Sequence, residues 1–270
     1  MQATDRSAAR MNDLERLRAS VREAGTLALK YFGKPVRNWI KNESSPVSEA
    51  DIAVNDLLRE RLLGNASEDG WLSEESENEP TRLSKRRVWV VDPIDGTRAY
   101  LSGREDWSVS AALVEDGRPV AAAIFAPVTE ELFLAAAGAG AHRNSKHITV
   151  SAGGELEGAR IAGPKRALDS MAHSAPRLVA VPRIHSLALR LVRVAQGELG
   201  AAIAGGNSHD WDLAAADLLV HEAGGLLTSL DGKPLTYNQP DPVHSVLVAA
   251  GRERHGRVLD LVRLQYAGAT

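Results

Sequence analysis

The sequence predicts mixed α and β structure, with an α+β half followed by an α/β half. Short apolar segments that predict an antiparallel meander lie at residues 107–114, 120–126 and 132–136. Beyond about residue 152, short apolar strands alternate with helical patterns, which is typical of α/β structure. We therefore predict an N-terminal lobe over residues 11–151 and a C-terminal lobe over residues 152–270, after a flexible tail at residues 1–10.

Composition excludes several classes of site. The chain has 270 residues, 44% of them hydrophobic, which is enough for an ordinary core. It has no cysteine, which excludes disulfides, thiolate metal sites and cysteine nucleophiles, and a reducing cytoplasm is the expected location. The net charge is −3 with both signs interspersed, so we expect neither nucleic acid nor a membrane surface as a partner. The polar start of the chain, Met1–Arg10, predicts neither a signal peptide nor an anchor.

The first elements in order are two helices. Asn12 or Asp13 is the expected cap of a helix with apolar residues at helical spacing as far as Tyr31. Ser48, followed three residues later by Asp51, resembles a capping box at the start of the second helix. Asp51 alone is also consistent with a first-turn acid that the helix dipole favours.

An apolar run that stops at two carboxylates is the central feature of the sequence. Val88–Val91 are β-branched or aromatic, which predicts a strand covered on both faces. Because Pro93 cannot donate to the ladder, we expect it to end the pairing, so that Asp92 and Asp95 lie where the chain leaves the sheet. Two carboxylates and the Ile94 carbonyl then form an oxygen-rich site suited to Mg²⁺. The alternative is an Asp-Pro turn whose side chains only cap the backbone.

The residues that follow favour an anion beside this site. Gly96 lets the backbone come close to a ligand, and Thr97 is a candidate cap for the segment 98–101. Free N–H groups at the start of such a segment bind anions. A cation site next to N–H donors is typical of a phosphate site.

Further acids occur at the ends of other elements. Glu74-Glu75 follow a short predicted strand, Trp71-Leu72, and either converge on the central acids or form a solvated turn. A buried Ala- and Leu-rich helix is predicted from about Trp211 to Ala223. Asp212 lies in its first turn, as a structural cap or as a metal ligand. His209 is a candidate substrate contact or part of an exposed turn.

Taken together, these motifs resemble the magnesium-dependent, lithium-sensitive inositol monophosphatase family, which includes 3′(2′),5′-bisphosphate nucleotidases and some histidinol-phosphatases. The matching motifs, in the family's order, are Ser45-Pro46 with Asp51, Glu74-Glu75, Asp92-Pro93-Ile94-Asp95-Gly96-Thr97, and Trp211-Asp212 with Glu222-Ala223-Gly224-Gly225. The resemblance extends from about residue 12 to residue 260. It implies a layered α-β-α-β-α sandwich, usually a homodimer, with the site between the lobes.

The resemblance also implies a metal-ion mechanism with two to three Mg²⁺ ions per site. By similarity, Glu74, Asp92 and the Ile94 carbonyl hold the first Mg²⁺. Asp92, Asp95 and Asp212 hold the second. Glu74 positions a third, weaker Mg²⁺ through water. This combination suits water attack on a phosphate monoester.

The family resemblance assigns roles to other residues as well. Thr97, hydrogen-bonded to Asp51, is expected to orient and deprotonate the attacking water. The N–H groups of Gly96 and Thr97 are expected to bind the phosphate, with Asp95 and Asp212 also facing the substrate. Additional candidates for contacts with the substrate or the metal ligands are Glu75, Lys41, Arg98, Ser208 and His209.

Two departures from the family pattern bear on the substrate. The central motif continues as Arg98-Ala99-Tyr100 instead of the x-Asn-Phe of inositol monophosphatases, which looks more like histidinol-phosphatase or nucleotidase relatives. Residues 204–207, Ala-Gly-Gly-Asn, stand where animal inositol monophosphatases place a Glu on the inositol hydroxyls. Small residues there widen the wall and remove an acceptor, which weakens a strict inositol interpretation, and a wider pocket could admit an adenosine moiety. No clear adenine platform is present, although Lys165, Arg166 and Arg183 are available for a second phosphate.

The leading hypothesis is a Mg²⁺-dependent phosphomonoesterase acting on a small phosphorylated metabolite. Inositol 1-phosphate and 3′-phosphoadenosine 5′-phosphate are nearly tied as substrates, and histidinol phosphate comes third. A non-catalytic metal-binding regulator with the same fold is the alternative from another class. The presence of Asp51, Glu74, Thr97 and Asp212 argues against that alternative, because a protein without catalysis has no chemical reason to keep all of them.

Overall fold

The computed structural model describes residues 3–41, 45–64, 68–174 and 178–267. Residues 1–2, which belong to the predicted tail, lie outside the described residues, as do residues 42–44. The helices are α1 (Ala3–Tyr31), α2 (Glu49–Leu62), α3 (Thr97–Leu101), α4 (Lys165–Ser174), α5 (Leu187–Ala195), α6 (Asp210–Glu222) and α7 (Arg252–Ala267), with a 3₁₀ turn at Pro80–Ser84. None of the helices in these ranges is both long and apolar enough to cross a membrane.

The larger sheet contains the predicted meander. Its strands, in spatial order, are β3 (Gly70–Ser73), β4 (Arg87–Asp95), β5 (Ser108–Glu115), β6 (Arg118–Ala126), β7 (Glu131–Ala136), β8 (Ala141–Arg143) and β9 (Lys146–Ile148). Strand β3 runs parallel to β4, and each later strand is antiparallel to its predecessor. Sequential antiparallel strands need only short turns, which explains why the spacing of the apolar segments predicted this part well.

A second sheet follows in the chain. Its strands, in spatial order, are β11 (Val179–Ala180), β10 (Arg160–Ala162), β12 (Ala201–Ala204), β16 (Leu247–Gly251) and β14 (Gly225–Ser229). Strand β10 is parallel to both neighbours, whereas β16 is antiparallel to β12 and β14. Two-stranded ribbons are formed by β1 (Asn38–Lys41) with β2 (Ser45–Ser48), and by β13 (Ser208–His209) with β15 (Val243–His244). The chain passes from the larger sheet to the second between Ile148 and Arg160, the segment that contains residue 152.

Helices cover both faces of both sheets. Leu17 of α1 and Leu58 of α2 pack on one face of the larger sheet. Leu191 of α5 and Leu219 of α6 belong to the apolar core between the sheets. Val258 of α7 packs, together with α4, on the far face of the second sheet. The order of layers is therefore α-β-α-β-α, as the family resemblance implied.

Strand β4 contributes side chains to two apolar cores, one on each face of the larger sheet. Trp89 and Val91 point into the core with α1 and α2, whereas Val88 and Val90 point into the core with α5 and α6. Successive side chains of a strand face opposite sides, so a strand covered on both faces must be apolar at every position. This confirms the prediction of a buried strand before the central acids.

Three boundaries differ from the sequence prediction. Helix α1 begins at Ala3, so neither Asn12 nor Asp13 caps it, because the preceding Ala- and Arg-containing segment continues the same helix. The polar composition from Lys41 to Pro46 predicts an exposed loop, but Lys41 ends β1 and Ser45 begins β2, and the two strands are paired. The apolar spacing over Val258–Leu264 predicts a closing amphipathic helix, whereas α7 begins earlier, at Arg252.

The middle helices should contribute strongly to stability. Leu191 of α5 is fully buried between the sheets, so Leu191→Ala should lower the free energy of unfolding by about 2–5 kcal/mol through lost burial and a residual cavity. Urea denaturation followed by circular dichroism measures this change. The matched control is Leu264→Ala on α7, where the side chain is 68% exposed and the expected change is within about 0.5 kcal/mol. Equal losses for the two variants would contradict this placement of α5.

Candidate active site

The end of β4 contains a bulge that brings two acids together. Asp92 pairs with Ser110 and Asp95 pairs with Ser108, so the register shifts between the two acids. The prediction that pairing ends at Pro93 is therefore wrong: the proline removes one ladder donor, but the strand resumes after it. In a regular strand, residues three apart face opposite sides, whereas a bulge redirects one of them. The interruption at Pro93 thus allows both carboxylates to reach one place.

A third carboxylate comes from the start of α6. Asp92, Asp95 and Asp212 each place one carboxylate oxygen within 4.8 Å of the others, a grouping able to hold a metal ion. The backbone N–H of His209 donates to Asp212 Oδ2 at 2.6 Å, and this bond fixes the side chain in the first turn of the helix. Asp92 and Asp95 are buried, while Asp212 retains 20% of its side-chain exposure. The cluster therefore joins the larger sheet to the middle helices.

Glu74 lies next to the cluster at the end of β3. Its backbone N–H donates to the Val91 carbonyl at 3.3 Å, which places it beside Asp92. The predicted convergence of the two acidic segments is therefore present in the structure. Glu75 is turned to Lys41, whose Nζ lies 3.3 Å from Glu75 Oε2 and also donates to the Glu74 carbonyl. Lys41 thereby fixes the backbone that presents Glu74.

Burial and mutual repulsion make this cluster electrostatically unfavourable by itself. Burial, with the added charges of Glu74 and Asp95, raises the pKa of Asp92 well above its ordinary value. Burial and the charge of Asp212 raise the pKa of Asp95 to about 7, although hydrogen bonds from Ser186 and α5 oppose the shift. Burial and the charge of Asp212 also raise the pKa of Glu74 to about 8. Each shift reflects the cost of placing like charges together away from water.

One oxygen of the cluster provides a direct test of whether a cation fits. Asp92 Oδ1 is buried and has no hydrogen-bond partner among the described residues. Buried polar atoms are almost always paired, so an unpaired carboxylate oxygen among other carboxylates indicates a missing positive partner. Hard divalent cations prefer carboxylate oxygens. The donor set of Asp92, Asp95, Asp212 and Glu74 fits such an ion.

Asp95 has a second structural role that the sequence analysis missed. Its carboxylate accepts the N–H of Leu187 at 3.0 Å and the N–H of Ala188 at 2.7 Å, as well as the hydroxyl of Ser186. These donors belong to the first turn of α5, whose N–H groups lack partners within the helix. Ser186 caps the same turn through the Leu189 N–H at 2.9 Å. A Ser directly before a helical apolar pattern was the available signal, but only the fold shows which acid it meets.

Thr97 and Asp51 form a hydrogen-bonded pair at the edge of the cluster. Thr97 Oγ1 lies 3.3 Å from Asp51 Oδ1 and 3.1 Å from the Ile94 carbonyl. Asp51 Oδ2 accepts the Ser48 N–H at 2.8 Å and the Ser48 hydroxyl at 2.6 Å, which confirms the predicted capping box. Burial raises the pKa of Asp51 to about 6, against the opposing hydrogen bonds from Ser48. The cap therefore holds Asp51 in place for Thr97.

Gly96 is the point at which three segments approach one another. Its φ of +95° lies in the left-handed region that glycine adopts without strain. A Cβ at this position would lie 3.2 Å from both the Asp106 carbonyl and the Ser186 N–H nitrogen, which are backbone atoms that cannot easily move. Gly96 thus permits the close contact between the end of β4 and the start of α5.

These side chains line one small pocket of about 160 Å³. Its lining residues are Pro46, Glu74, Asp92, Asp95, Gly96, Thr97, Arg98, Arg183, His185 and Asp212. His185 was not predicted for the site, because it occurs in a turn without a recognisable motif. Two predicted substrate contacts, Ser208 and His209, are not among the lining residues.

Ser208 and His209 make local contacts instead. The Ser208 hydroxyl donates to the Gly205 carbonyl at 3.0 Å. The His209 ring stacks on Trp211, with 4.5 Å between ring centroids and 7° between ring planes. Both residues thus support the start of α6, where Asp212 is located.

Comparisons with known proteins place this chain in a family of phosphatases. A model of the inositol monophosphatase family matches residues 12–265. The chain is 31% identical to the 3′(2′),5′-bisphosphate nucleotidase CysQ of Aggregatibacter actinomycetemcomitans, over 80% of this chain and 84% of that protein. It is 33% identical to an inositol-1-monophosphatase of Rhizobium meliloti, over 80% and 85% of the two chains. It is also 33% identical to a histidinol-phosphatase of Mycobacterium tuberculosis, over 77% and 80%.

Solved structures show the same fold. The extragenic suppressor protein SuhB of Bartonella henselae superposes with a TM-score of 0.81 at 27% identity, over 92% of this chain and 97% of that one. An IMPase of Thermotoga maritima superposes with a TM-score of 0.83 at 23% identity, over 93% and 97%, which supports the fold alone. The family match covers nearly the whole described chain and includes every member of the carboxylate cluster. This chain belongs to the inositol monophosphatase family of phosphomonoester hydrolases.

Proposed function

We propose that this protein is a Mg²⁺-dependent phosphomonoesterase that hydrolyses a small phosphate monoester of the inositol 1-phosphate type by direct attack of water. The observation that carries the proposal is the convergence of Asp92, Asp95 and Asp212 around an unpaired buried oxygen of Asp92. Thr97 and Asp51 form a polar pair beside it. This combination suits phosphoryl transfer, in which catalysis consists of positioning and charge stabilisation.

The residues assigned to the metal ions follow from the cluster. Glu74, Asp92 and the Ile94 carbonyl would hold one Mg²⁺, and Asp92, Asp95 and Asp212 a second, with a weaker third near Glu74. Bound Mg²⁺ would lower the pKa of the attacking water and neutralise charge on the phosphoryl oxygens. Asp92 belongs to both sets, so we expect it to be the least replaceable ligand.

Thr97 and Asp51 prepare the attacking water. The Thr97 hydroxyl lies between two acceptors, Asp51 and the Ile94 carbonyl, and when its one proton goes to Asp51 its oxygen keeps a lone pair able to accept from a water. A water that donates to this lone pair is oriented towards the pocket and passes its proton along the Thr97–Asp51 pair. The raised pKa of Asp51, about 6, brings this carboxyl closer to the pH at which general acid–base groups are efficient.

The start of α3 would receive the phosphate. Gly96 and Thr97 stand at the N-terminal end of this helix, where backbone N–H groups have no intrahelical acceptor. Their N–H groups are proposed to bind two phosphoryl oxygens, and Arg98 adds positive charge at the pocket wall. No covalent phosphoenzyme is required, because the pocket offers clustered carboxylates and the chain has no cysteine to activate.

A 3′(2′),5′-bisphosphate nucleotidase acting on 3′-phosphoadenosine 5′-phosphate is the second candidate. A cavity of about 600 Å³ adjoins the carboxylate pocket at Arg183, which lines both. Lys165 and Arg190 also line this cavity, so it could accept a further anionic group. A 3′-phosphoadenosine 5′-phosphate phosphatase of Mycobacterium leprae is 35% identical to this chain, over 71% of it and 73% of that protein. Histidinol phosphate is the third candidate substrate.

A homodimer remains a prediction of the family resemblance, and a cytoplasmic location remains a prediction from the absence of cysteine. Size-exclusion chromatography with light scattering would measure the mass in solution against the 28.9 kDa of one chain.

Phosphate release from three compounds tests the proposal directly. Inositol 1-phosphate, 3′-phosphoadenosine 5′-phosphate and histidinol phosphate should be assayed side by side with Mg²⁺, with EDTA and with added Li⁺. We expect Mg²⁺-dependent, Li⁺-inhibited release that favours one compound by its kcat/KM. Release in EDTA would contradict the metal dependence. Absence of release, with Mg²⁺ binding intact, would favour the regulator alternative.

Thr97→Ala should slow turnover more than it weakens Mg²⁺ binding. Removal of the hydroxyl deletes the group that orients the water, a loss worth about 10²-fold or more in kcat. The Mg²⁺ concentration for half-maximal activity should change little. Thr97→Ser keeps the hydroxyl and is the matched control. A variant that lost Mg²⁺ binding while keeping its maximal rate would exclude the proposed role.

Asp92→Asn should abolish turnover and stabilise the metal-free fold at high pH. A loss of kcat of at least about 10³-fold, or about 4 kcal/mol of transition-state stabilisation, is expected because one side chain is assigned to both ions.

The effect of Asp92→Asn on stability follows from the raised pKa values of Asp92, Asp95 and Glu74. Folding raises these values, so the folded state binds more protons and stability falls as pH rises from 4.5 to about 8.

Urea denaturation in EDTA at the two ends of that interval measures this effect. The wild type should lose stability towards high pH, Mg²⁺ should restore it, and Asp92→Asn should show a smaller loss. Asp260→Asn is the control, since Asp260 is 74% exposed and lies on α7. Retained turnover in Asp92→Asn would refute the ligand assignment.

A further inference from the structure

Strand β5 runs beside the acidic end of β4 and places a serine opposite each of its two acids. Ser110 is the direct partner of Asp92, and Ser108 is the direct partner of Asp95. Both serines are buried. Neither has a role in the proposed reaction steps, although each lies one strand away from an assigned metal ligand.

Ser110 faces the same side of the larger sheet as Asp92. Ala112, two residues after Ser110, and Val90, two residues before Asp92, both belong to the core between the sheets. The register shift begins only after Asp92, and alternate residues of a regular strand share a face. The side chains of Ser110 and Asp92 therefore point to the side of the sheet where α6 supplies Asp212.

The two side chains are within reach of each other. Cβ atoms of directly opposite residues in an antiparallel pair lie about 4.5–5.5 Å apart. A serine hydroxyl oxygen is one bond beyond Cβ, and a carboxylate oxygen is two bonds beyond it. Rotation about the side-chain bonds is therefore enough to bring the two oxygens to the distance of a hydrogen bond, without movement of the backbone.

Ser110 and Asp92 each keep one buried polar atom unpaired. Within the part of the chain that the structure describes, neither Ser110 Oγ nor Asp92 Oδ1 has a hydrogen-bond partner. Ser110 is only 1% exposed, so bulk solvent does not reach its hydroxyl. An unpaired buried hydroxyl is unfavourable, and such groups are rare in proteins. A donor and an acceptor without partners thus lie directly opposite each other on neighbouring strands.

The other serine shows how β5 supports a ligand of the cluster. Ser186 has one hydroxyl proton and donates it to Asp95. In the 3.1 Å contact between the hydroxyls of Ser108 and Ser186, Ser108 is therefore the donor. Hydrogen bonds that run from Ser108 through Ser186 to Asp95 thus hold one carboxylate of the cluster from β5.

We propose that Ser110 is a positioning residue of the metal centre, whose hydroxyl donates to Asp92 Oδ1 when a divalent cation occupies the carboxylate cluster. A carboxylate oxygen has two lone pairs, so it can bind a cation and accept a hydrogen bond at once. Carboxylates that ligate metal ions are in turn held by such bonds. The inference rests on the Mg²⁺ dependence of the proposed function and adds the residue that orients the ligand assigned to both ions.

Ser110→Ala separates this role from a structural one, because the two effects have opposite signs. Without a cation, the substitution removes an unpaired buried hydroxyl, so the urea midpoint in EDTA should stay the same or rise. With Mg²⁺, it removes a bond to a metal ligand, so the Mg²⁺ dissociation constant should rise by about tenfold or more. Isothermal titration calorimetry of the metal-free protein with MgCl₂ measures this constant.

Two control variants accompany Ser110→Ala. Ser108→Ala makes the same substitution on the same strand, but it removes a hydroxyl that has a partner, so its urea midpoint in EDTA should fall. Thr228→Val removes a buried hydroxyl with partners from β14, in the second sheet. It should leave the Mg²⁺ dissociation constant unchanged.

An unchanged Mg²⁺ dissociation constant in Ser110→Ala would overturn the proposal, because the hydroxyl would then not hold the ligand. A Ser110→Ala protein that binds Mg²⁺ more weakly and also unfolds at a lower urea concentration in EDTA would overturn it as well, since its defect would be structural. A wild type that fails to bind Mg²⁺ would overturn the proposed metal dependence itself, before any variant is compared.

Discussion

The site depends on one carboxylate that serves two elements at once. Asp95 ends β4 in the larger sheet, caps the first turn of α5 between the sheets, and contributes an oxygen to the metal-binding cluster. A charged acceptor at a helix N-terminus is favourable by itself, and here it also fixes the distance between a strand and the helix layer above it. Because Gly96 allows these segments to touch, the position of the cluster is set by backbone contacts and varies little with surface side chains.

This architecture concentrates negative charge where the fold can least tolerate it. Asp92 is buried among other carboxylates, and one of its oxygens has no partner among the described residues. The surrounding core offsets that cost in the absence of a cation. Stability and function therefore oppose each other at the same side chains, as is common where a site must bind a strongly charged ligand. The rigid strand and helix ends keep the repelling groups from moving apart.

Much of this arrangement was predictable from local sequence pattern. The meander, the buried β4 and the Ser48–Asp51 capping box depend on neighbouring residues, so periodicity and cap motifs predicted them correctly. The cluster of Asp92, Asp95 and Asp212 was anticipated because each acid follows a recognisable strand end or helix start, and the family resemblance linked them. The bulge after Pro93 and the Asp106–His185 contact were not predictable, because they arise from packing between segments distant in the chain.

The location of α6 has a consequence for biosynthesis. Asp212 lies in the last quarter of the chain, whereas Asp92 and Asp95 are made much earlier. A nascent polypeptide that ends before α6 therefore lacks the third carboxylate, and its second sheet also lacks β14 and β16. Cation capture through the complete donor set is thereby postponed until the ribosome has delivered nearly the entire chain. The grouping of carboxylates that is able to hold a metal ion thus exists only in chains that extend beyond Asp212.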